Sequence, residues 1–322
     1  MAVAGRDCFV SLPIAIGIAP RNDGNFPRLK INLMPYFSLH HLQLGSITIY
    51  TWGLFVGLGF CAGYFLTLWR AKKKNINPNQ IAALSIAVFL GAVLGSRLGF
   101  LLQYPQRFFN DISLFWNLGE GGLTIWGGIL GAIAGGWIAI VLLSSLRRGV
   151  RGEVINLEFG VTSPNPSLIK EGRKANFLFL ADLFAPGAAL GIVIGRVGCL
   201  LINDHAGAIT KMPWAIVWPD GVLRHPVILY EILFCLAVFF LLLWLEKYQK
   251  FQGQLFLNFL ALYAAGRFVL DFFRESSGSL ADPRMANLTA SQWISFWALL
   301  GVVALYFSAK KFAIEQKSQT LE

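Results

Sequence analysis

The amino-acid sequence predicts an all-α fold, a polytopic helical membrane protein with about seven transmembrane helices. Of its 322 residues, 56% are hydrophobic and only 14% are charged, whereas a soluble globular chain has about 25% charged residues. The apolar residues form continuous runs of about 20 residues, the length that an α-helix needs to cross a bilayer. A transmembrane β-barrel would alternate apolar and polar residues instead. Membrane-spanning helices are therefore the predicted architecture, since lipid offers the backbone no hydrogen-bond partners.

The apolar runs predict seven spans, each bounded by polar or turn-forming residues, at about 47–69, 81–103, 122–146, 177–202, 226–246, 253–273 and 291–309. Residues 1–33 are predicted to be an N-terminal extension, because their apolar run is too short to span a membrane and contains a proline. Met34 is expected to open a seven-helix domain over 34–310, with a cytoplasmic tail over 311–322. Within this domain, 147–176 is rich in Pro, Asn and Ser, which predicts a flexible cytoplasmic loop.

The charge distribution predicts the orientation of the chain in the membrane. The net charge is +10, and most loop lysines and arginines follow odd-numbered spans, namely Arg70, Lys72, Lys73, Lys74, Arg147, Arg148, Arg151, Lys170, Arg173, Lys174, Lys247, Lys250, Lys310, Lys311 and Lys317. Loops rich in Lys and Arg stay in the cytoplasm. The N-terminus is therefore predicted outside and the C-terminus in the cytoplasm. The excess positive charge therefore indicates membrane topology. It does not indicate a nucleic-acid-binding surface, so no nucleic-acid partner is expected.

The four cysteines, Cys8, Cys61, Cys199 and Cys235, show neither a CxxC motif nor a spacing with histidine that is typical of metal sites. Three of them lie in apolar spans, where cysteine usually behaves as a small hydrophobic residue. The sequence therefore predicts no disulfide framework, no metal and no cofactor.

Glycine repeats mark the predicted packing surfaces of three helices. They recur every fourth residue at Gly91, Gly95 and Gly99, at Gly127, Gly131 and Gly135, and at Gly187, Gly191 and Gly195. Small residues at this spacing let helix backbones approach closely. Arginines 97 and 196 lie beside two of these repeats, so we expect both to face the bundle and not the lipid.

Three arginines, Arg97, Arg196 and Arg267, lie inside predicted spans and at a similar predicted depth. A charge in the hydrocarbon region is costly, and it usually has a partner or a function. Snorkelling of the long side chain to the headgroups is an alternative for any one of them. Because the planar guanidinium fork binds phosphate oxygens in pairs, the three together indicate recognition of a lipid phosphate near the outer leaflet.

Further polar residues accompany these arginines. Tyr263, Arg267 and Asp271 are four residues apart and share one face of the sixth span, where Asp271 is expected either to aim Arg267 or only to neutralise it. Glu231 falls early in the fifth span, where the helix dipole alone would favour a carboxylate.

The segment after Arg196 leaves the membrane with Asn203, Asp204 and His205 together. This cluster is either a solvated loop or a general base beside a phosphate site. These residues predict a lipid-headgroup transferase or a lipid-binding protein.

Several motifs resemble those of bacterial prolipoprotein diacylglyceryl transferases. The segment GRVGCLLINDHAG is similar to the family signature G-R-x-G-N-F-x-N-x-E-x-x-G. In family order, the chain also carries GEGGLTIWGG, ADLFAP, RHPVILYE and YAAGRFVLDFFRE, which resemble GG-x3-H-GG, D-x-x-A-P, R-H-P-S-Q-L-Y-E and Y-x3-R-x3-E-F-F-R. The resemblance covers about residues 34 to 310, and the family's seven spans and external N-terminus agree with the predicted topology.

The resemblance implies transfer of diacylglycerol from phosphatidylglycerol to the lipobox cysteine of a prolipoprotein signal peptide, with release of glycerol phosphate. It implies a multi-pass protein of the bacterial plasma membrane whose site faces the outer leaflet, with membrane lipids around it. On matching positions, Arg196 and Arg267 are expected to bind and stabilise the phosphate. The other predicted contacts with phosphatidylglycerol are Tyr263, Glu231, Asn203, Gly198 and Arg97, with Asp271 and Trp126 as supporting residues.

The chain departs from the family pattern at positions that matter for proton transfer. Trp126 stands in place of the family histidine, Cys199 in place of an asparagine, Trp52 in place of a tyrosine and Asp204 in place of a glutamate. Asp204 and the adjacent His205 are therefore the predicted catalytic base, together with Arg267 as a catalytic residue. A non-catalytic phospholipid-binding or lipid-translocating relative is the alternative, which the tryptophan favours. A solute transporter is disfavoured because no inverted repeat is visible.

Overall fold

The computed structural model describes residues 36, 38–44, 47–103, 124–151, 177–276, 281–282 and 284–319. Within these ranges, seven helices are long and apolar enough to cross a membrane. The predicted fold class, a seven-span helical membrane protein, is therefore confirmed. The helices are α1 Thr51–Lys73, α2 Pro78–Gln103, α3 Ile125–Arg151, α4 Phe177–Ile202, α5 Val227–Leu245, α6 Gln254–Leu270 and α7 Ala290–Gln319.

Several helix ends differ from the predicted spans, most of all that of α7, which continues to Gln319, ten residues beyond its predicted end at 309. The first span was placed from residue 47, but Ile47–Tyr50 is a strand, β2, which pairs with β1 at His41–Leu44 in an antiparallel hairpin. Its β-branched, alternating residues favour a strand, and α1 begins only at Thr51. Helix α3 also differs from its predicted span, because it continues to Arg151, five residues into the predicted loop. The rest of that loop, and the predicted extension over 1–33, lie outside the described residues.

Glycines bring the helices together in two tight pairs, α2 with α3 and α1 with α4. A Cβ atom added at Gly131 would lie 2.1 Å from the carbonyl oxygen of Gly91, and one at Gly59 would lie 2.5 Å from that of Gly191. No side chain fits such gaps, so the close approach depends on glycine. The predicted packing role of the glycine repeats is confirmed in both pairs.

Replacing Gly131 with alanine is expected to destabilise the protein by about 1–3 kcal/mol, because the new methyl group forces the two backbones apart. Thermal unfolding in detergent measures this effect. Gly57→Ala is the matched control, since Gly57 is an exposed residue of α1 with nothing within 4 Å of an added Cβ. Equal stability of the two variants would contradict the packing role.

Buried ionic contacts tie the helices together at the end of the bundle that holds Asp182, here named the Asp182 end. The Asp182 carboxylate accepts hydrogen bonds from the backbone N–H groups of Gly253 at 2.6 Å and Phe256 at 2.8 Å. It thereby caps the start of α6, whose first N–H groups have no partner within the helix. Arg70 of α1 donates to the carbonyl oxygen of Leu183 at 2.5 Å and pairs with Glu246 at 2.8 Å.

An apolar cavity of about 420 Å³ lies between the α1–α4 pair and the α2–α3 pair. It runs from Phe184 near the Asp182 end to Arg196 and Cys199, and we name the latter the Arg196 end. A buried apolar cluster lies at the Asp182 end, formed by Ala71, Ile76, Ile81, Leu84, Leu180 and Leu183. Most of the cavity lining is apolar, and Arg196 is the one charged side chain among the described residues that line it.

Short strands form a cap over the Arg196 end. Strand β3 (Ile216–Val217) pairs with β4 (Leu223–Arg224), and β5 (Arg284–Met285) pairs with β6 (Leu288–Thr289). A bridge between Gly207 and Arg274 joins the segment after α4 to the end of α6. The cap thus holds the loop after Arg196 against the residues that follow Arg267.

Candidate active site

Arg196 of α4 and Arg267 of α6 meet at one carboxylate, that of Glu231 in α5. Arg196 Nη1 lies 2.9 Å from Glu231 Oε2, and Arg267 Nη1 donates to the other oxygen, Oε1. The three side chains are 5%, 10% and 4% exposed. Two arginines on different helices are therefore held side by side by one buried carboxylate. Of the predicted residues, these three are brought together most directly.

A second carboxylate, that of Asp271, extends the cluster to Arg274. Asp271 Oδ1 lies 3.2 Å from Arg267 Nη2 and 3.2 Å from Arg274 Nε. Arg274 Nη2 also lies 3.6 Å from Glu231 Oε1. Asp271 is fully buried and accepts a hydrogen bond from Thr289 Oγ1 at 2.6 Å. Its contact with Arg267 fits both alternatives that the sequence left open, an aiming role and a neutralising one.

The buried part of this cluster has more positive than negative groups. It contains the guanidinium groups of Arg196, Arg267 and Arg274 and the carboxylates of Glu231 and Asp271. At its rim, Asp282 pairs with Arg274 at 2.8 Å but is 36% exposed, so solvent weakens this contact. The buried groups alone leave one positive charge, which an anion with a single negative charge would complement.

A capping box at the start of α7 orients Arg267. The Thr289 N–H donates to Gln292 Oε1 at 2.9 Å, and the Gln292 N–H donates to Thr289 Oγ1 at 3.1 Å, the reciprocal pattern of a T-x-x-Q box. Ser291, inside this box, accepts a hydrogen bond from Arg267 Nε at 2.9 Å. The segment TASQ signals the box in the sequence, and Ser291 is a contact of Arg267 that the predicted site does not include.

Tyr263 and Trp126 lie together beside the arginine cluster. Tyr263 precedes Arg267 by one helical turn, and its ring meets that of Trp126 edge-on with centroids 5.8 Å apart. Both side chains belong to the buried core between α3, α4, α5 and α6. Among the described residues, neither the Trp126 Nε1 nor the Tyr263 hydroxyl has a hydrogen-bond partner.

Asn203, Asp204 and His205 form the end of α4 and the loop after it. Asn203 is buried with φ of 46°, and it ends the helix in a Schellman motif. In this motif the Asn203 N–H donates to the Leu200 carbonyl and the Asp204 N–H to the Cys199 carbonyl, both at 3.3 Å. His205 Nε2 lies 3.4 Å from Asp204 Oδ2. The turn therefore carries Asp204 and His205 back over the Arg196 end.

The surroundings of His205, whose side chain is 32% exposed, favour the neutral form of its imidazole. Burial, followed by the guanidinium groups of Arg274, Arg196 and Arg267, lowers the pKa of His205 well below 6.5. Partial desolvation raises the pKa of Asp204, and the positive charges of Arg196 and Arg274 oppose this shift. An imidazole that stays unprotonated at neutral pH is able to accept a proton.

Gly198 and Arg97, two further predicted binding residues, lie in helix interfaces. A Cβ atom added at Gly198 would lie 2.7 Å from Phe55 Cβ, so this glycine lets α1 approach α4. Arg97 of α2 is 2% exposed, and its guanidinium carbon lies 5.7 Å from the centre of the Phe100 ring. Both arginines beside the glycine repeats, Arg97 and Arg196, are buried as expected.

Comparison with known proteins matches residues 40–147 and 167–308 to the prolipoprotein diacylglyceryl transferase family. The chain belongs to this family. It is 31% identical over 283 residues to the phosphatidylglycerol--prolipoprotein diacylglyceryl transferase of Francisella tularensis subsp. mediasiatica (strain FSC147), a match that covers 85% of this chain and 92% of the relative. The enzymes of the same name from subsp. novicida (strain U112) and subsp. tularensis (strain WY96-3418) match with the same identity and coverage. These relatives are named as transferases.

Arg274 is the member of the arginine cluster that the predicted site did not include. Arg274 continues the helical face of Tyr263, Arg267 and Asp271, so its spacing indicated that face but not a place in the site. Its approach to Glu231 joins residues 43 positions apart, and no spacing within one helix reports such a contact. In this member of the transferase family, the buried cluster therefore contains three arginines from the α4 and α6 regions.

Proposed function

We propose that this chain transfers the diacylglyceryl group from phosphatidylglycerol to the thiol of a lipobox cysteine in a prolipoprotein, releasing glycerol phosphate. The observation that carries this proposal is the buried cluster of Arg196, Glu231 and Arg267 at the polar end of an apolar cavity. A phospholipid fits this arrangement, because its phosphate is complementary to the arginines and its acyl chains are complementary to the adjacent apolar cavity. Family membership supports the same reaction.

The arginine cluster suits the phosphate of the donor lipid. A phosphodiester carries one negative charge, the complement of the charge left by the buried groups around Glu231. Arginine binds phosphate oxygens in pairs, and the contacts of Arg267 with Ser291 and Asp271 aim its guanidinium group before the lipid arrives. Arg196 also lines the cavity, so it is the residue placed to contact phosphate first.

The cavity suits the acyl chains of the same lipid. Its lining is almost entirely apolar and lies within the membrane-spanning parts of α1, α2, α3, α4 and α6. With the phosphate at Arg196, acyl chains that enter the cavity run towards Phe184 and the Asp182 end. The glycine contacts lie within each helix pair, α1 with α4 and α2 with α3. The space between the two pairs is therefore open to the lipid.

The chemical step is a substitution at the glycerol carbon that bears the phosphate ester. The thiol loses its proton, sulfur forms a bond to this carbon, and the bond between the carbon and the phosphate oxygen breaks. The products are a thioether on the prolipoprotein and glycerol phosphate, and the proton goes to the base. The fixed guanidinium groups of Arg196 and Arg267 stabilise the negative charge that gathers on the leaving phosphate. His205 serves as the base, with Asp204 beside it.

We further propose that the Asp182 end faces the cytoplasm of a bacterial plasma membrane and that the site lies in the outer leaflet. Basic residues support this orientation, because the described ones at the last turn of α1 and after α5 all lie at the Asp182 end, namely Arg70, Lys72, Lys73, Lys74, Lys247 and Lys250. Basic loops remain cytoplasmic. The prolipoprotein would then present its cysteine from the exterior, where the cap covers the site.

A defined lipidation assay tests the reaction. The purified full chain in nanodiscs that contain phosphatidylglycerol is incubated with a lipobox peptide, and a peptide with serine in place of cysteine is the control. We expect mass spectrometry to find the diacylglyceryl mass on the cysteine peptide only, together with free glycerol phosphate. Phospholipid binding without any product would favour the alternative, a non-catalytic phospholipid-binding relative, for which Trp126 in place of the family histidine is the supporting observation.

The pH dependence of transfer is expected to report His205. Its pKa is lowered below 6.5 by burial and by the nearby guanidinium groups, and protonation abolishes a base, so the acid limb of kcat/KM should lie below pH 6.5. The pH profile of kcat reports the enzyme with lipid bound. The bound phosphate offsets the positive charges around His205, so the acid limb of kcat should lie at higher pH than that of kcat/KM. His205→Ala should lower kcat by about 10²-fold and remove this limb.

His41→Ala is the control for this pH experiment, because His41 is an exposed residue of β1. Its profile should match that of the wild type. Full activity in a variant with both Asp204 and His205 replaced by alanine would show that the base lies elsewhere.

A further inference from the structure

Two buried hydrogen-bond donors lie next to each other without acceptors. They are the indole Nε1 of Trp126, a residue 9% exposed, and the hydroxyl of Tyr263, a residue 4% exposed. Within the described part of the chain, neither atom has a hydrogen-bond partner. Their rings meet edge-on at 5.8 Å between centroids, so the two donors belong to one small region.

Buried donors without acceptors are rare in folded proteins, because burial removes the water that would otherwise satisfy them. An indole N–H is able only to donate, so Trp126 requires an acceptor from outside its own ring. A tyrosine hydroxyl both donates and accepts, but it too is left without a partner here. The pair therefore indicates a bound molecule that supplies an oxygen acceptor.

The pair lies close to both the arginines and the cavity, and this position identifies the class of acceptor. Tyr263 lies one turn before Arg267 on α6, and Ile129 and Phe259, which pack in the same core as the pair, also line the cavity. A phospholipid with its phosphate at Arg196 and its acyl chains in the cavity has its ester groups between these two parts. Ester carbonyl oxygens are neutral acceptors, which neutral donors satisfy.

We propose that the Trp126 N–H and the Tyr263 O–H bind the ester carbonyl oxygens of the donor phospholipid. This inference rests on the proposed function, because it places the same lipid in the same site. It gives position 126 of this chain a role in positioning the glycerol backbone. The tryptophan at this position donates a hydrogen bond but has no lone pair to accept a proton, so it is a positioning residue and not a base.

The test compares phosphatidylglycerol with its diether analogue, which lacks the carbonyl oxygens. Tyr263→Phe keeps the ring and removes only the hydroxyl donor, whereas Trp126→Phe removes the indole N–H together with part of the ring. Native mass spectrometry of the full chain measures lipid binding by both variants. Each variant is expected to bind the diester lipid about 10-fold more weakly than the wild type, but the diether lipid equally well. Trp297→Phe, at a position 63% exposed, should change neither affinity.

Two results would overturn the inference. The first is unchanged binding of the diester lipid by both variants, and the second is an equal loss of affinity for both lipids, which would indicate altered packing. The Tm of lipid-free Tyr263→Phe should equal or exceed that of the wild type, since only an unpartnered donor has been removed. Trp126→Phe should lower the Tm, because the smaller ring leaves a void in the core, so its evidence is the difference between the two lipids. The two proposals can fail separately. If the variants show the expected difference between diester and diether lipid but the wild-type chain transfers no diacylglyceryl group, this inference is supported and the proposed reaction is overturned.

Discussion

Replacing Arg196 with alanine is expected to lower kcat for diacylglyceryl transfer by about 10²–10³-fold, the usual effect of removing one fixed group that stabilises developing charge. Arg196 lines the cavity and pairs with Glu231. Its loss therefore removes the cation that lies nearest to the phosphate of a lipid bound in the cavity. Steady-state transfer to a lipobox peptide measures the effect. Arg196→Lys should recover only part of the rate, because an ammonium group cannot bind two oxygens in a planar fork.

Arg70→Ala is the matched control for this experiment. Arg70 is also a buried arginine with a carboxylate partner, but it lies at the Asp182 end of the bundle. Its loss should lower the Tm and leave the kcat of the folded protein close to that of the wild type. Equal losses of kcat in the two variants would contradict a specific role for Arg196.

Replacing Glu231 with alanine is expected to destabilise the protein by about 3–5 kcal/mol, the usual cost of leaving buried charges without a partner. Glu231 contacts Arg196, Arg267 and Arg274, so all three guanidinium groups would lose a carboxylate at once. The Tm in detergent measures the effect. Glu246→Ala, which removes a carboxylate 28% exposed, should cost less, because Arg70 keeps its hydrogen bond to the Leu183 carbonyl oxygen.

An added anion should partly restore the Glu231→Ala variant. Phosphatidylglycerol binds only the folded chain and therefore raises its Tm, and the increase should exceed that of the wild type because the arginines lack their own carboxylate. An equal increase in both proteins would show that the lipid phosphate does not lie at these arginines.

The fold was largely predictable, because the length of an apolar run reports directly on its ability to cross a bilayer. The seven helices lie where the runs predicted them, and the errors are at the ends. Residues 47–50 are apolar enough to extend the first span, but their hydrogen bonds go to residues 41–44. The choice between a first helical turn and a hairpin strand depends on that partner, which hydropathy does not report.

The candidate site was predictable in its residue types but not in its connections. Spacing on one helix indicated that Arg267 and Asp271 lie together, and the structure places Oδ1 of Asp271 3.2 Å from the guanidinium group. The bridge through Glu231 joins three helices, and the order of residues along the chain does not determine it. Asn203, which is predicted to bind substrate, also ends α4 in a left-handed turn, and the order of residues in the motif does not reveal this local role.

The apolar lining of the cavity has a consequence for the kinetics of the whole protein. Mostly apolar walls do not distinguish one headgroup from another, and the cluster around Ile76 and Leu180 lies at the far end of the cavity. Every phospholipid of the surrounding leaflet therefore competes for the same space, and selection is left to the polar groups at the Arg196 end. The quantity that governs occupancy is accordingly the mole fraction of the donor lipid in two dimensions, and not its concentration in the bulk sample.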